Sequence, residues 1–370
     1  MSIASEITRI NTNIANAYTA CDTMGATMPA SGSQNSANLA TTISSIPSGG
    51  GIGIPREVSQ SGVFQMPTSS FTFELPSNAT DLGEYSLAYD FYNCIGLTSI
   101  DFSGLTTISN ICALYYTFKN CSGLISIDLS SLTTITGTDA LSYAFQNCTG
   151  LTGVSFDSLT TINSDRALYY AFAECSNITN VNLSNLTSIN GLNALSNAFN
   201  GCTSLTSVDL SSLTTVTGTN AMRSAFVNCA NLVNTVSTTD ILLPSLETIG
   251  ENSSTANNAQ FAMTFNGTII RRLTFPELKE IYCTGSSNTT GTFYNNYYLQ
   301  KLCFPKLDTI TYGAGASSSN QTAANNIFYA CNELTELHFG AANENAIKAT
   351  AGWSTLWGRG AGNVTVYFDL

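Results

Sequence analysis

Charge is scarce in this sequence, and histidine is almost absent. Asp, Glu, Lys and Arg make up only 10% of the 370 residues, whereas charged residues are about 25% of a typical globular domain. The surface must therefore consist mainly of Ser, Thr, Asn and Gly. Because His338 is the sole histidine, most triads built around a serine or cysteine nucleophile are excluded, and we expect no enzymatic activity.

Positive charge is rarer than negative charge. The formal net charge is -12, from 12 basic and 24 acidic residues. Nucleic acids and anionic membranes are bound by basic surfaces, so we expect neither as a partner. Five basic residues nevertheless lie near one another late in the chain and form a basic patch: Arg271, Arg272, Lys279, Lys301 and Lys306.

Long hydrophobic runs are also missing. None approaches the roughly 20 residues that cross a bilayer, so we expect no membrane insertion. The opening, MSIASEITRINTNIANAY, lacks the basic first segment and the continuous apolar stretch of a signal peptide, because Glu6, Arg9 and Asn11 interrupt it. We therefore expect no export by the ordinary secretory route.

Residues 1–46 are expected to be helical. Apolar side chains recur there in alternating steps of four and three: Ile3, Ile7, Ile10, Ile14, Ala17 and Cys21. This spacing is a heptad seam, and isoleucine at both seam positions favours a homotrimer. A short amphipathic helix packed against a neighbour fits the same spacing, and both interpretations stay open. Residues 47–62, rich in Gly, Pro and Ser, are expected to be a linker.

The chain repeats from residue 63 to residue 340. The clearest marker is a cysteine every 27 residues: Cys94, Cys121, Cys148, Cys175, Cys202 and Cys229. In each copy a phenylalanine lies three residues before the cysteine, and a leucine or isoleucine lies three residues after it. In the stretch LISIDLSSL, apolar Ile127 and Leu129 alternate with polar Asp128, which predicts one short strand per repeat with a single buried face.

A second pattern, upstream of each cysteine, predicts a short helix or helical turn. Five residues share one helical face there: Ala140, Leu141, Ala144, Phe145 and Cys148. One repeat cannot bury its apolar face alone, so the copies are expected to stack with parallel strands roughly 4.8 Å apart. The expected fold is an α/β solenoid with a parallel sheet on one face and short helices or turns on the other. Residues 341–370 are expected to form a helix and a final strand that cap it.

We interpret the repeated cysteines as a ladder of buried free thiols. Free cysteine packs as a small hydrophobe. In a regular stack each cysteine would have two equivalent disulfide partners, and disulfide bonds remain the alternative. Zinc sites usually need closely spaced ligands such as CxxC. The chain has no CxxC and only one histidine, so we expect no metal and no cofactor.

Two groups of residues are candidates for binding a ligand. Stacking places the outward strand residues on one continuous surface: Ser99, Asp101, Ser126, Asp128, Ser155, Asn180, Asn182, Ser207 and Asp209. The second group breaks the repeat consensus beside the basic patch: Tyr294, Tyr297 and Tyr298. A further column, Tyr89, Tyr116, Tyr143 and Tyr170, keeps the repeat register, and we interpret it as a structural stacking ladder rather than a binding site. Tyr115 and Tyr169, which precede two of its members, are expected to point outward.

The repeat form F-x-x-C-x-x-L-x-x-I-x-L resembles the BspA-like leucine-rich repeats of bacterial surface antigens. Six copies in strict register carry the resemblance, which covers about residues 63–340. The opening MSIASEITRI, followed by LATTISSIPSGGG, resembles the start of tail-associated proteins of phages that infect Gram-positive bacteria. The two resemblances together imply a leucine-rich-repeat solenoid on a phage tail fibre or receptor-binding protein located in the virion.

That interpretation implies specific partners. The repeat domain would bind a glycan or a protein on the bacterial surface, and residues 1–46 would attach to other tail proteins of the virion. The BspA-like resemblance taken alone implies instead a secreted or cell-surface adhesin that binds host proteins or glycans. An intracellular scaffold for protein interactions is the third alternative.

Overall fold

The computed structural model describes part of the chain: residues 57–58, 64–65, 70–75, 79–84, 86–232, 243–250, 260–283, 292–312, 327–328, 330–349 and 364–370. Residues 1–46, with the predicted helix and trimer seam, lie outside the described residues. The chain divides into two compact units, Met1–Gln65 and Met66–Leu370. In the first unit, Glu57–Val58 pairs antiparallel with Phe64–Gln65. The predicted linker therefore contains a strand near its end.

The secondary structure of the described residues is mostly short strands. In chain order they are β1 (Glu57–Val58), β2 (Phe64–Gln65), β3 (Phe71–Glu74), β4 (Leu97–Asp101), β5 (Thr107–Ile108), β6 (Ser126–Asp128), β7 (Thr134–Ile135), β8 (Gly153–Ser155), β9 (Thr161–Ile162), β10 (Asn180–Asn182), β11 (Ser188–Ile189), β12 (Ser207–Asp209), β13 (Thr215–Val216), β14 (Thr248–Ile249), β15 (Arg272–Thr274), β16 (Glu280–Cys283), β17 (Lys301–Phe304), β18 (Thr309–Tyr312), β19 (Glu336–Phe339) and β20 (Thr365–Phe368). A 3-10 turn at Ala341–Asn343 leads into the helix α1 (Glu344–Ala349).

The predicted parallel solenoid is confirmed in Met66–Leu370. Each repeat forms one coil, and its first strand joins the first sheet face, in three hydrogen-bonded groups: β3-β4-β6, β8-β10-β12 and β15-β17-β19-β20. The parallel register preserves the 27-residue period, because Val181 lies between Val154 and Val208 of the adjacent coils. These three valines are buried, as the alternating pattern predicts.

Eight of the described coils also carry a second strand, which the sequence analysis did not predict. These strands form one continuous parallel sheet of eight, in the order β18-β16-β14-β13-β11-β9-β7-β5. Most are only two residues long, such as Thr134–Ile135 beside Thr161–Ile162. Two residues are too few to show an alternating pattern, although their isoleucines belong to the repeated apolar positions.

Of the predicted short helices or turns, the described coils have tight turns. Alternate backbone N–H groups there bond to the next coil, as Leu114 does to the carbonyl of Ala140 (2.8 Å) and Phe118 to that of Ala144 (2.8 Å). The N–H groups between them bond within the same coil, three residues back. Every fourth residue has a positive φ: Cys112, Tyr116 and Asn120 in the second coil, at 54°, 57° and 65°. A left-handed residue at this spacing stops helix propagation and turns the N–H groups toward the neighbouring coil.

The core is built from two repeated side chains. The phenylalanines stack from coil to coil with ring centroids 5.1–5.7 Å apart over Phe91, Phe118, Phe145, Phe172, Phe199 and Phe226. The repeated cysteines lie beside them as buried free thiols. At the C-terminal end, α1 is followed by β20, which extends the first sheet face, and Phe368 stacks on Phe339 with centroids 5.7 Å apart.

Candidate binding surfaces

The first candidate surface, which we call the polar strand face, is the outward side of β4, β6, β8, β10 and β12. Its nine residues are those predicted from the alternation: Ser99, Asp101, Ser126, Asp128, Ser155, Asn180, Asn182, Ser207 and Asp209. The strands bring them into two columns, because Ser99 lies beside Ser126 and Asp101 beside Asp128. Asp101 and Asp128 are exposed, and Asp209 is half-buried.

A structural reason explains why Asp or Asn ends these strands. The side-chain oxygen Oδ1 accepts a hydrogen bond from the backbone N–H two residues later, at 2.8–3.0 Å, in Asp101, Asp128, Asn182 and Asp209. Such an Asx turn leads the chain out of the strand into the corner of the coil. The fold itself therefore favours this column, and its repetition alone does not identify a ligand site.

Two members of the column differ in their remaining hydrogen-bonding capacity. The side-chain amide of Asn182 has both N–H donors occupied, because it also donates to Ser155 Oγ (3.1 Å) and to Asp157 Oδ1 (2.7 Å) in the preceding coil. Asp128 accepts from the N–H and the hydroxyl of Ser130, both through Oδ1, at 2.9 and 2.6 Å. Its Oδ2 accepts no hydrogen bond from the described residues and faces solvent.

In the last coils the same column holds four other residues in register: Thr274, Cys303, His338 and Tyr367. His338 is buried, with Nδ1 2.8 Å from Asp369 and Nε2 3.1 Å from Glu336. The hydrogen bond from His338, aided by Lys301, lowers the pKa of Glu336. Sequence reasoning missed this cluster, because Asp369 reaches His338 only through the pairing of β20 with β19.

The predicted tyrosine group near the basic patch is only partly exposed. Tyr298 is 39% exposed, and the guanidinium of Arg271 lies 5.0 Å from its ring centroid. Tyr294 and Tyr297 are half-buried, and their carbonyls accept backbone N–H groups from Met263 and Glu333. The three tyrosines thus lie on one coil, and of the three only Tyr298 is exposed.

The basic patch is largely neutralised by neighbouring glutamates. All three of its lysines have ion-pair partners on adjacent coils: Lys279 with Glu247 (3.0 Å), Lys301 with Glu336 (3.3 Å) and Lys306 with Glu277 (2.7 Å). Exposed pairs of this kind contribute at most about 1 kcal/mol each to stability. The patch therefore offers a ligand much less net positive charge than the sequence suggests.

The tyrosines in repeat register form a continuous stack on the turn side, which we call the tyrosine ladder: Tyr89, Tyr116, Tyr143 and Tyr170. Successive rings are nearly parallel, with centroids 5.1, 4.4 and 5.1 Å apart. The stacking that we predicted is present. The ammonium of Lys119 lies 4.7 Å from the Tyr116 ring centroid and 5.6 Å from that of Tyr143.

Two further tyrosines flank the ladder at steep angles. Tyr115 and Tyr169 make edge-type contacts with Tyr143, with interplanar angles of 89° and 88°. Both are half-buried, so their prediction as outward residues holds only in part. Burial, with the neighbouring phenols, raises the pKa of Tyr115 to about 12. The Tyr115 hydroxyl therefore remains protonated at neutral pH and can donate a hydrogen bond.

The repeated thiols are unsuited to nucleophilic chemistry. Burial raises the pKa of Cys175, Cys229 and Cys331 to about 12. A cysteine nucleophile needs a lowered pKa and some exposure. Within the described ranges we find no group of three potential metal ligands, and in the same ranges no helix is long and apolar enough to span a membrane.

The fold and these surfaces define a class of protein, the leucine-rich-repeat solenoid, in which stacked coils display repeated side chains to solvent. The family model for the BspA type leucine rich repeat region matches residues 58–166 and 116–258, which together cover more than half of the sequence. The chain belongs to this BspA-type family. The match begins after residues 1–46 and gives the predicted phage-tail role no support.

Several solved structures resemble the chain. A leucine-rich repeat protein from Bacteroides ovatus is 21% identical, with a TM-score of 0.43, over 80% of this chain and 62% of that one. A leucine rich cell surface protein from Faecalibacterium prausnitzii is 15% identical, with a TM-score of 0.28, over 82% and 89%. The T. pallidum leucine rich repeat protein is 19% identical, with a TM-score of 0.29, over 49% and 88%.

These likenesses concern the fold alone, and the family assignment comes from the repeat model. The chain spans 62% of the length of the Bacteroides ovatus protein. No curated protein matches the sequence.

Proposed function

We propose that this protein is a BspA-like cell-surface or secreted adhesin that binds another protein without catalysis. The observation that carries the proposal is the repeat family itself, combined with the polar strand face. Solenoids of stacked coils commonly use such continuous surfaces for recognition. Proteins of this construction supply a scaffold, and the side chains placed on it decide the partner.

The polar strand face has a definite chemical character. The exposed carboxylates of Asp101 and Asp128 lie on adjacent strands, and Asp209 lies farther along the same column. The described cations of these five coils lie elsewhere, because Lys119 covers tyrosine rings and Arg166 is paired with Asp139. The face therefore suits a partner surface that carries Lys or Arg side chains, and opposite charges would steer the encounter.

Location is tested by mild protease treatment of intact producing cells, followed by detection of the chain with an antibody. We expect the chain to be degraded on intact cells, or recovered in the culture medium, while a cytoplasmic marker stays protected. Recovery only in purified virions would restore the phage-tail interpretation. Recovery only inside the cells would favour the intracellular scaffold.

Binding is tested on a panel of immobilised extracellular-matrix proteins and on a glycan array. The informative variant is the triple substitution Asp101→Asn, Asp128→Asn and Asp209→Asn, because Asn182 shows that asparagine makes the same Asx turn. We expect it to fold normally and to lose affinity for a matrix protein, with a weaker salt dependence. Unchanged affinity would exclude the polar strand face, and binding to glycans alone would contradict the proposal of a protein partner.

A further inference from the structure

The turn side carries a second periodicity, twice that of the repeat. It appears in the position just before the tyrosine ladder, six residues before each cysteine. Over five successive coils this position holds Tyr115, Ser142, Tyr169, Ser196 and Arg223. The two serines are buried, whereas Tyr115, Tyr169 and Arg223 are half-exposed. At this position, large side chains therefore reach solvent only at every second coil.

Backbone hydrogen bonds fix this row in space. The N–H of each ladder-position residue donates to the carbonyl of the row residue in the next coil, as Tyr89 does to Tyr115 (3.0 Å) and Tyr143 to Tyr169 (2.9 Å). Asn197 bonds to Arg223 in the same way, at 2.9 Å. Adjacent coils are about 4.8 Å apart, so members of the two-coil row (Tyr115, Tyr169 and Arg223) recur about every 9.6 Å.

This spacing matches one common extended ligand. A polyproline II helix has three residues per turn and rises about 3.1 Å per residue, so that every third side chain returns to the same side after about 9.3 Å. Its backbone makes no internal hydrogen bonds, so its carbonyls need donors. The phenol groups of Tyr115 and Tyr169 lie two coils apart and are donors of this kind, which also interact with the ladder hydroxyls of Tyr116, Tyr143 and Tyr170.

Stacking within the ladder argues against a sugar as the ligand. Sugars pack on the faces of aromatic rings, and the ladder faces are covered by one another, with interplanar angles of 10°, 22° and 11°. Ring edges and hydroxyl groups remain. Aromatic surfaces that offer such edges and donors are the type that binds proline-rich segments.

Charge sets the third contact. Arg223 ends the row and forms no ion pair with a carboxylate of the described chain, whereas Arg166, on the same side, is bound to Asp139 at 2.6 Å. An acidic side chain three residues from the second proline would meet the Arg223 guanidinium. The row thus presents two tyrosines followed by one arginine, at equal intervals of two coils.

The tyrosines also occupy a conformation that favours other residues. Tyr116, Tyr143 and Tyr170 have φ values of 57°, 59° and 54°, in the left-handed region where Asn is favoured over bulky side chains. Asn197 holds the equivalent place in the next coil with a φ of 57°. The tyrosines keep this backbone conformation while their rings stack on one another, and the two-coil row lies beside that stack.

We propose that the two-coil row binds a proline-rich segment of a partner protein, in the polyproline II conformation, with the pattern Pro-x-x-Pro-x-x-Asp/Glu in either chain direction. The segment lies along the solenoid axis, with prolines against Tyr115 and Tyr169 and the carboxylate on Arg223. This inference rests on the proposed function, because it names a partner class for the same protein-binding solenoid.

The test uses the full chain and synthetic peptides of about twelve residues, measured by calorimetry and by tyrosine fluorescence. One peptide carries the proposed pattern, one carries it reversed, and two controls replace the prolines by glycine or the acidic residue by lysine. We expect one of the first two peptides to bind and both controls to bind at least about tenfold more weakly. No binding at about 1 mM peptide, or equal binding of the glycine control, overturns the proposal.

Matched variants come from the chain's own repeats. Tyr169→Ser introduces the residue found at Ser142 and Ser196, and we expect it to weaken peptide binding about tenfold while the circular dichroism spectrum is unchanged. Arg223→Glu should weaken binding of the acidic peptide and restore binding of the lysine peptide. Retained binding by both variants overturns the proposal, and the charge exchange remains decisive if Tyr169→Ser fails to fold.

Failure here and failure of the proposed function are distinguishable. The polar strand face variant Asp128→Asn should leave peptide binding unchanged, because it lies on another side of the coil. If the peptide does not bind while the chain is still found at the cell surface and binds a matrix protein, only this inference is wrong.

Discussion

The thiol of Cys148 donates a hydrogen bond to the carbonyl oxygen of Phe118 in the preceding coil, at 3.0 Å. The same bond joins Cys121 to Phe91 and Cys175 to Phe145, also at 3.0 Å. Each thiol thus supplies a donor to a buried carbonyl while filling apolar space. In a later coil Asn296 takes the place of the cysteine, and its side-chain amide donates to the carbonyl of Phe261 at 3.0 Å.

Replacement of Cys148 by alanine should therefore cost more than the loss of a small apolar group. We expect Cys148→Ala to lower the free energy of unfolding by about 0.5–1.5 kcal/mol beyond the lost apolar contact, because it removes one of the two hydrogen bonds that the Phe118 carbonyl accepts, the other coming from the Cys121 N–H (3.1 Å). Cys148→Ser keeps a donor and should lose less. Urea unfolding of both variants decides the matter, and a serine variant less stable than the alanine variant would show that only apolar packing matters.

Glycine is needed where one coil rests on the backbone of another. A Cβ at Gly191 would lie 2.0 Å from the carbonyl oxygen of Ser164. We expect Gly191→Ala to destabilise the protein by about 1–3 kcal/mol, since the backbone must move. Gly153→Ala is the control, because its Cβ would meet only the Asn180 side chain, at 3.3 Å. Thermal unfolding of the two variants tests this difference. Equal decreases in melting temperature would contradict the expectation.

The Asx turns make a prediction that separates fold from binding. Asp128→Ala removes the acceptor for the Ser130 N–H and should cost about 0.5–1.5 kcal/mol. Asp128→Asn retains that acceptor and should change stability by less than about 0.5 kcal/mol. Chemical denaturation of the two variants tests this difference. Equal losses would mean that the carboxylate charge, and not the turn, stabilises the strand end.

Stability should fall at alkaline pH. Burial raises the pKa of the Cys175 thiol from 9.0 to about 12. Between these values the unfolded chain has released its proton and the folded chain has kept it, so rising pH favours unfolding. The stabilisation is complete below pH 9 and is lost as pH rises toward 12, with a slope of about 1.4 kcal/mol per pH unit for one such thiol.

The measurement for this prediction is urea unfolding between pH 8 and pH 11 with a reducing agent present. Cys175→Ser removes one ionising group, so its stability should depend less steeply on pH than that of the parent protein. Identical pH dependence of the two proteins would show that Cys175 does not ionise on unfolding in this range, and would remove the basis of the prediction.

Sequence reasoning went furthest where one coil repeats the next. Phe118 and Cys121 recur at 27-residue intervals, and only a stack of equivalent coils places them in one core. The alternation of Ile100 and Asp101 indicates a strand with one buried side, and the polar strand face follows from it. The sequence did not predict that these carboxylates also stabilise turns, because the hydrogen bond from the Ser103 N–H to Asp101 depends on the local path of the chain.

The turn side shows why its backbone conformation could not be predicted from the sequence. Ala140, Leu141 and Ala144 have the spacing of a helix, but Tyr143 adopts a φ of 59° and the Leu141 N–H bonds to Ala167 of the next coil. A helix satisfies its own backbone groups, whereas in these turns alternate N–H groups are satisfied only by the neighbouring coil. Spacing along one repeat cannot distinguish the two, since the competing partner lies 26 residues away.

Sequence by itself determined the period, the parallel stacking and the identity of the core residues, because these follow from apolar burial repeated at a constant interval. Tertiary structure alone decided which carboxylates are used within their own turns, that Glu277 neutralises Lys306, and that large side chains at the two-coil row emerge at every second coil. These properties depend on contacts between coils, where residues distant in sequence compete for the same hydrogen bonds and charges.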